Sequence, residues 1–346
     1  MSQTPASTAG KPAGQGTGTP APGARPGGPG TGGAAMGGGD RGPAATAGQG
    51  RSGEQGRAAE PGQAEEIVLT LSCMDTIGIV HAVSGFLVAH RLNIVNSQQF
   101  DDPGSGRFFL RVQARAERPV DVLALRSAFQ ALADNYGMDW NLSDADERMR
   151  LLIMVSKFDH CLNDLLYRIR TGALRVEVPV IVSNHPDLAP LAEAEGIPFV
   201  HIPVTAETKP QAEVRVREIV DEYRIDLVVL ARYMQILSDE LCADLAGRAI
   251  NIHHSFLPGF KGARPYHQAF ERGVKLVGAT AHYVTADLDE GPIIEQEVFR
   301  VNHAHSAEDL ALAGRDAECA ALARAVRWHS ERRVLLNGAR TVVFTD

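Results

Sequence analysis

Three polar residues in the C-terminal half of the chain have the types that hydrolytic chemistry requires. Asn251 and His253 are two positions apart, and Asp289 lies in a Leu-Asp-x-Gly-Pro segment at residues 288–292. Side chains two positions apart on a strand point to the same side, so we expect Asn251 and His253 to converge beyond the strand's end. An amide donor, an imidazole and a carboxylate are sufficient to polarise a carbonyl and activate water. These residues are the predicted catalytic group.

Simpler interpretations of the same residues stay open at this stage. Asn251 at a strand end is typical of a residue that caps the following turn, His253 of a core histidine, and Asp289 of a turn residue. His254, beside His253, raises the alternative of a histidine metal site, but no histidine spacing in the chain is diagnostic of zinc. We therefore predict no metal.

The bulk composition is that of a soluble enzyme. The chain has 346 residues, of which 44% are hydrophobic and 22% charged, and this length has room for two or three domains. The formal net charge is -8 and basic residues form no cluster, which argues against a nucleic-acid partner. No apolar run approaches the roughly 20 residues needed to cross a bilayer, so no membrane association is expected.

The cysteines indicate a reducing compartment. There are four, Cys73, Cys161, Cys242 and Cys319, far apart and without a CxxC pair. This distribution predicts reduced, packed thiols in a cytoplasmic protein.

The first 64 residues are predicted to be a disordered tail. Residues 1–63 contain no Leu, Ile, Val or aromatic residue and are mostly Gly, Ala, Pro, Thr and Gln. Because such a segment has almost nothing apolar to bury, ordering it would cost about 1 kcal/mol per residue without compensation.

Residues 65–148 are predicted to form a small ferredoxin-like unit with the order βαββαβ. Apolar alternation and turn signals place its strands at 67–73, 93–100, 107–114 and 138–142, and its helices at 81–91 and 120–136. Asp75 is predicted to cap the first helix. This order, with Asp-x-x-Gly-Ile-Val at residues 75–80, resembles the ACT domain, a regulatory module that often pairs between subunits and binds amino acids. The resemblance implies a homo-oligomer and a small amino-acid effector near residues 75–80 and 93–97, or a module that only dimerises.

Residues 149–346 are predicted to form a Rossmann-like, mostly parallel α/β domain. Continuous apolar runs, typical of strands covered on both faces, lie at residues 151–156, 178–183, 199–203, 227–231 and 249–253. A helix at 307–332 and a hairpin across Asn337-Gly338 complete the domain. Ligands of such sheets lie beyond the carboxyl ends of the strands, where residues 251–255 would lie.

The second domain resembles the folate-dependent formyltransferase family. The resemblance rests on Asn-x-His at residues 251–253, Ser-x-Leu-Pro at 255–258, Gly-Ala-Arg-Pro at 262–265, His-Tyr-Val-Thr at 282–285 and Leu-Asp-x-Gly-Pro at 288–292. It implies formyltetrahydrofolate as substrate, no metal, no separate cofactor, and catalysis by Asn251, His253 and Asp289.

The resemblance also implies the residues that bind the folate. Tyr233, Met234, Gln235 and Leu237 would line the pterin slot, and Asp287 and Leu288 would close its other side. For Ile236 we expect inward packing instead. Gly262 and Arg264 would shape the loop near the carbonyl, with Arg264 placed to pair with a folate glutamate carboxylate.

The segment after the first strand of this domain decides the expected acceptor. Family members that formylate glycinamide ribonucleotide have a glycine-rich turn there to bind phosphate, whereas residues 156–165 of this chain contain no glycine, and Phe158 and Asp159 would crowd or repel a phosphate. Water is therefore the predicted acceptor. Ser156 and His160 are placed to contact water or folate, but helix capping is at least as good an interpretation of Ser156.

The predicted reaction is hydrolysis of 10-formyltetrahydrofolate to formate and tetrahydrofolate, in one-carbon and purine metabolism. Two alternatives are a formyltransferase with another amine acceptor and a non-catalytic regulator whose second domain is a folate-binding relic.

Overall fold

A computed structural model describes residues 63–259 and 265–345 of the chain. Residues 1–62 of the predicted tail, and Gly262 and Arg264 of the predicted folate site, lie outside the described residues.

The N-terminal part is an antiparallel sheet with two helices. Its elements are β1 (Gln63–Met74), α1 (Ile79–Ala89), β2 (Leu92–Asp102), β3 (Arg107–Asp121), α2 (Val122–Tyr136) and β4 (Asp139–Asp144). The strand order is β2-β3-β1-β4, so the predicted βαββαβ arrangement is present. Inward residues of β1 pack against α1 and α2 in one core, which includes Ile67, Leu71, Phe86 and Phe129.

Two details of this part differ from expectation. The tail ends earlier than residue 64, because Gln63 and Ala64 already pair with Asp121 and Val120 of β3 and Ala64 is buried. Helix α1 begins after Gly78, whose φ of 100° is a left-handed conformation that favours glycine, and the helix has no side-chain cap. The expectation that Asp75 caps α1 was therefore wrong.

The second part is a seven-stranded sheet covered by helices. In chain order its elements are β5 (Met149–Val155), α3 (His160–Arg170), β6 (Val176–Ser183), α4 (Ala189–Ala194), β7 (Phe199–His201), α5 (Lys209–Glu222), β8 (Leu227–Leu230), α6 (Asp239–Asp244), β9 (Ala249–His253), α7 (Pro265–Arg272), β10 (Leu276–Tyr283), β11 (Ile293–Arg300) and α8 (Ala307–Ser330). The strand order is β11-β10-β9-β8-β5-β6-β7. Strands β5 to β9 are parallel, and β10 and β11 extend the sheet in antiparallel pairing. The predicted mostly parallel α/β fold is confirmed.

Burial on both faces explains the continuous apolar strands. Residues 151–155 of β5 are all fully buried, with alternate side chains in the cores on the two sides of the sheet. The carboxyl ends of β5, β8 and β9 therefore lie side by side at the same edge, where parallel α/β sheets bind their ligands.

A C-terminal hairpin joins the two parts of the chain. Strands β12 (Val334–Asn337) and β13 (Arg340–Val343) meet at the predicted Asn337-Gly338 turn. Asn337 Nδ2 and Arg340 Nη2 donate to the Asp102 carboxylate at 2.7 and 2.8 Å, and hydrogen bonds from Asn337 and Ser105 lower the pKa of Asp102 to about 2. Thr341 Oγ1 donates to the Ile293 carbonyl at 2.6 Å, so the hairpin also contacts the sheet that carries the site.

None of the helices in the described ranges has the length and apolar character needed to cross a bilayer.

Candidate active site

Asn251 and His253 lie at the carboxyl end of β9, as predicted, and a second histidine faces them from the neighbouring strand. The antiparallel register of β9 and β10 places His282 opposite Asn251, and Asn251 Nδ2 donates to His282 Nε2 at 3.2 Å. His253 and His282 are both buried, with 5% and 3% of their surface exposed. This burial gives the group a fixed geometry.

Asp289 joins the two histidines. Its Oδ2 lies 3.1 Å from His253 Nδ1, and its Oδ1 lies 3.7 Å from His282 Nε2. Burial raises the pKa of Asp289, but the hydrogen bond from His253 outweighs that effect, so the pKa lies below its usual value. Asp289 is therefore a carboxylate at neutral pH. The structure brings together the three predicted catalytic residues and adds His282.

The loop that carries Asp289 has a demanding backbone geometry. Asp289 has a φ of 58°, a left-handed conformation that costs a non-glycine residue about 1 kcal/mol or more. At Gly291 an added Cβ would lie 1.7 Å from the Tyr283 carbonyl oxygen, so only glycine fits there. Tyr283 N in turn donates to the Pro292 carbonyl at 2.9 Å. The close approach of Gly291 to β10 holds Asp289 beside His282 and His253.

The hydrogen-bond partners fix the tautomers of the two histidines. His282 Nδ1 lies 2.8 Å from the Tyr283 carbonyl, which only accepts, so Nδ1 carries a proton and Nε2 of the neutral ring accepts from Asn251. By the same reasoning, His253 Nδ1 donates to Asp289. His253 Nε2 is buried and has no hydrogen-bond partner among the described residues, which is unusual for a buried ring nitrogen. A bound substrate atom or water is the natural partner for it.

These residues line one cavity of about 540 Å³. Of the predicted folate-binding residues within the described ranges, Tyr233, Met234, Gln235, Leu237 and Leu288 line it. Tyr233 is buried, and burial raises its pKa to about 12. The lining of the cavity is largely apolar, as is usual for a small-molecule site.

Two residues of this wall differ from the predicted arrangement: Asp287 stays a predicted folate-binding residue, whereas the inward packing expected for Ile236 was wrong. Asp287 is not among the lining residues; its carbonyl instead accepts hydrogen bonds from Thr285 Oγ1 and the Glu290 amide, which closes the turn before Asp289. Ile236 lines the cavity and is 59% exposed, because the segment after Tyr233 is an open loop with no helix into whose core it can turn.

Ser156 supports the loop that follows β8. Its Oγ donates to Asn184 Oδ1 at 2.6 Å and accepts from the Met234 amide at 2.9 Å. The alternative that it caps α3 was wrong, since the residue before that helix is Asp159.

A buried charged cluster in the same cavity was not anticipated from the sequence. Glu318 of α8 accepts from His160 Nε2 at 2.7 Å and from Tyr266 Oη at 3.1 Å, and lies 3.3 Å from Arg232 Nε. The Arg232 guanidinium also lies over the Phe158 ring, 5.2 Å from its centre. His160, Arg232 and Tyr266 are 52 or more positions from Glu318 along the chain, so no local spacing reveals the cluster.

Three members of this region, His160, Cys161 and Glu318, have potential metal-ligand atoms within 4.8 Å of one another. The donor chemistry is unfavourable for a cation, because the Arg232 guanidinium already neutralises Glu318 and a hydrogen bond with Cys319, together with burial, raises the pKa of the Cys161 thiol.

Comparisons with known proteins agree with this geometry. The family described as Formyl transferase matches residues 149–326. A formyltetrahydrofolate deformylase of Corynebacterium sp. (strain P-1) is 57% identical over 277 residues, which cover 80% of this chain and 97% of that protein. The chain belongs to the formyl transferase family, among its formyltetrahydrofolate deformylases.

Solved structures support the same placement. The structure of formyltetrahydrofolate deformylase from Burkholderia mallei has a TM-score of 0.79 and 55% identity, and the match covers 81% of this chain and 100% of that one. Glycinamide ribonucleotide transformylase 1 from Symbiobacterium toebii has a TM-score of 0.54 and 30% identity, over 57% of this chain and 95% of that one. The deformylases match both parts of the fold, whereas the transformylase matches a shorter region.

Proposed function

We propose that the chain hydrolyses 10-formyltetrahydrofolate to formate and tetrahydrofolate. The observation that carries the proposal is the convergence of Asn251, His253 and Asp289 on one cavity, in a chain of the deformylase group. The apolar wall formed by Tyr233, Met234 and neighbouring residues suits the pterin ring, and the formyl group would then lie against the three polar side chains.

Asp289 acts through His253 in this proposal. Both carboxylate oxygens face histidine nitrogens, at 3.1 and 3.7 Å, so neither oxygen is directed at an attacking water. Asp289 instead holds the His253 Nδ1 proton, which leaves Nε2 to act as the base. Water adds to the formyl carbon as its proton passes to His253 Nε2.

Asn251 stabilises the charge that develops on the formyl oxygen. One Nδ2 proton goes to His282, which fixes the direction of the amide, and the second is free to bond the oxyanion. A single well-placed donor of this kind typically lowers the barrier by about 3 kcal/mol. As the intermediate collapses, the carbon–nitrogen bond breaks, its electron pair goes to the folate nitrogen, and His253 Nε2 returns the proton to that nitrogen.

The experiment that tests the proposal is incubation of the full chain with 10-formyltetrahydrofolate in buffer without an amine. We expect formate and tetrahydrofolate to appear in equal amounts. If turnover begins only after an amine is supplied, the acceptor is not water and the formyltransferase alternative is correct. Binding without turnover under either condition would instead indicate a regulator with a folate-binding relic.

The proposal includes a second copy of the chain and an amino-acid effector at an ACT-like region of residues 65–148, followed by a catalytic domain of residues 149–346. Support for a second copy comes from β2, which is an edge strand with exposed Ile94, Val95 and Phe100. Light scattering of the full chain with and without each of the common amino acids tests both points. A monomer at all concentrations would contradict the second copy. Activity and melting temperature are measured on the same samples, and if mass, activity and melting temperature are unchanged with every amino acid, the effector proposal is contradicted.

A cytoplasmic location, a role in one-carbon and purine metabolism and the absence of a cofactor other than the folate substrate complete the proposal. The free thiols of Cys73, Cys161, Cys242 and Cys319 support a reducing compartment.

A further inference from the structure

Tyr283 follows His282 on β10, but its side chain points away from the catalytic group into the core. It is 3% exposed, belongs to the main core, and is not among the described residues that line the cavity. Its backbone nevertheless orients the catalytic group. The Tyr283 carbonyl accepts from His282 Nδ1 at 2.8 Å and faces Gly291, two residues after Asp289. Any group that holds Tyr283 in place therefore also holds His282 and the loop of Asp289.

His329, near the end of α8, holds the other end of the Tyr283 side chain. The Tyr283 hydroxyl and His329 Nδ1 share a hydrogen bond of 2.7 Å, and the two rings meet edge to face with their centres 5.7 Å apart. Burial and the Arg332 charge lower the pKa of His329 to about 3, and burial raises the pKa of Tyr283 above its usual value. Both groups are therefore neutral at physiological pH, and the bond between them does not titrate there.

The end of α8 that carries His329 is bonded to the N-terminal sheet. The carbonyl of Glu331, which caps the helix, accepts from Nε and Nη2 of Arg111 on β3 at 3.3 and 3.1 Å. Arg111 is only 2% exposed, so its guanidinium is held at a fixed position in the protein. The Glu331 amide donates to the Arg327 carbonyl, and the Arg332 amide donates to the His329 carbonyl. The cap and His329 therefore form one hydrogen-bonded turn, which Arg111 attaches to β3.

We propose that Arg111, His329 and Tyr283 are positioning residues that fix His282 in the catalytic group, so that the N-terminal sheet takes part in setting the rate of hydrolysis. This inference rests on the proposed function and adds a means of control at the same site. Packed and hydrogen-bonded groups of this kind carry coupling between distant parts of a protein. A displacement of β3 would move the end of α8, then Tyr283, and then the catalytic histidine.

The first test removes the bond between Tyr283 and His329. Tyr283→Phe and His329→Leu in the full chain are each expected to lower kcat about tenfold, because a small misplacement of a catalytic group is costly. KM should stay within about twofold, since neither residue lines the cavity. His329→Asn should retain most of the activity, because an amide near the position of Nδ1 can bond the tyrosine hydroxyl in either direction. Tyr167→Phe, at an exposed tyrosine, is the matched control and should behave as wild type.

The second test asks whether Arg111 acts through His329. Arg111→Met, which keeps the length of the side chain but removes its donors, is expected to lower kcat about threefold or more. In the His329→Leu background the same change should cause no further loss, because coupled residues are not additive. Arg115→Met is the matched control. Arg115 lies on the same strand but bonds Glu66 of the same sheet, so its replacement should leave kcat unchanged in both backgrounds.

The kcat values are compared under conditions in which urea unfolding shows every variant to be fully folded. A merely structural role would lower stability and leave kcat at the wild-type value, and that result overturns the inference. Losses from Arg111→Met and His329→Leu that multiply in the double variant also overturn it. Equal activity of His329→Asn and His329→Leu would contradict the proposed bond.

A spectroscopic measurement tests the link without turnover. In protein with ¹⁵N-labelled histidine, the signals of His282 are identified by their loss in His282→Gln. We expect them to show a proton on Nδ1 in wild type, and to shift in Tyr283→Phe and Arg111→Met but not in Arg115→Met. Unchanged signals in the first two variants refute the link. Wild type that releases no formate without an amine would instead refute the proposed hydrolysis, which separates the two failures.

Discussion

Asp289→Asn is expected to lower the kcat for hydrolysis by about 10³-fold or more while leaving KM within a few fold. The reason is that asparagine has nearly the same shape but no charge, so it cannot stabilise the His253 imidazolium that forms as water loses its proton. Its amide can also present an N–H to His253 Nδ1 at the present distance of 3.1 Å, which favours the tautomer with Nε2 protonated and removes the base. The measurement is steady-state release of formate and tetrahydrofolate.

The loss should be similar across the neutral range. The hydrogen bond from His253 holds the pKa of Asp289 below the usual carboxyl range despite its burial, so the wild-type residue is ionised at every pH from roughly 6 to 9. Asp187→Asn, an equivalent change at an exposed aspartate, is the control and should leave kcat unaltered. Retention of more than about a tenth of wild-type kcat in Asp289→Asn would refute the assigned role.

The positions of Asn251 and His253 could be predicted from the sequence, but their partner His282 could not. Both lie on one strand, and the strand is an apolar run buried on both faces, so alternation alone predicts that their side chains emerge together at its end. The partnership of His282 with Asn251 depends on the antiparallel register between β9 and β10. Register between strands is set by tertiary packing, so no local pattern signals that pair, although His282 begins the His-Tyr-Val-Thr motif of residues 282–285.

The strand that carries His282 illustrates why some elements escape prediction. Strand β10 contains Gly278, Ala279 and Ala281, whose small side chains carry little strand propensity. They are small because neighbours approach closely: an added Cβ at Gly278 would lie 2.0 Å from the Glu297 carbonyl oxygen, and both alanines are fully buried. The need for small side chains in β10 can be recognised only when the positions of β11 and α8 are known.

The charged cluster was missed for a related reason. Arg232 would ordinarily be expected to reach solvent after a strand, and its inward direction follows from a left-handed backbone conformation that composition does not reveal. Glu318 reads as one of several acidic residues on a long amphipathic helix, yet it is buried because α8 packs across α3 and β10. Long-range packing therefore determines which residues meet in the cluster, whereas the local apolar pattern is sufficient to predict the strand that carries Asn251 and His253.

Gly291→Ala is expected to lower kcat by about 100-fold although residue 291 touches no reacting atom. The added Cβ would lie 1.7 Å from the Tyr283 carbonyl oxygen and 3.3 Å from His282 Nδ1, so the backbone must move away from β10. Such a displacement carries Asp289 away from His253, and a misplacement of about 1 Å at a catalytic group costs on the order of 10²-fold in rate. Backbone strain should also destabilise the fold by about 1–3 kcal/mol.

Two measurements separate misplacement from loss of folding. Urea unfolding gives the stability of Gly291→Ala, and kcat is then determined under conditions in which the variant is fully folded. Gly85→Ala in α1 is the matched control, because no atom lies within 4 Å of its added Cβ, and it should keep full activity and gain roughly 0.5–1 kcal/mol. A folded Gly291→Ala enzyme with wild-type kcat would mean that the loop relaxes without moving Asp289. In that case the contact between Gly291 and β10 would serve the loop's stability alone, and the position of Asp289 would depend on its two histidine partners.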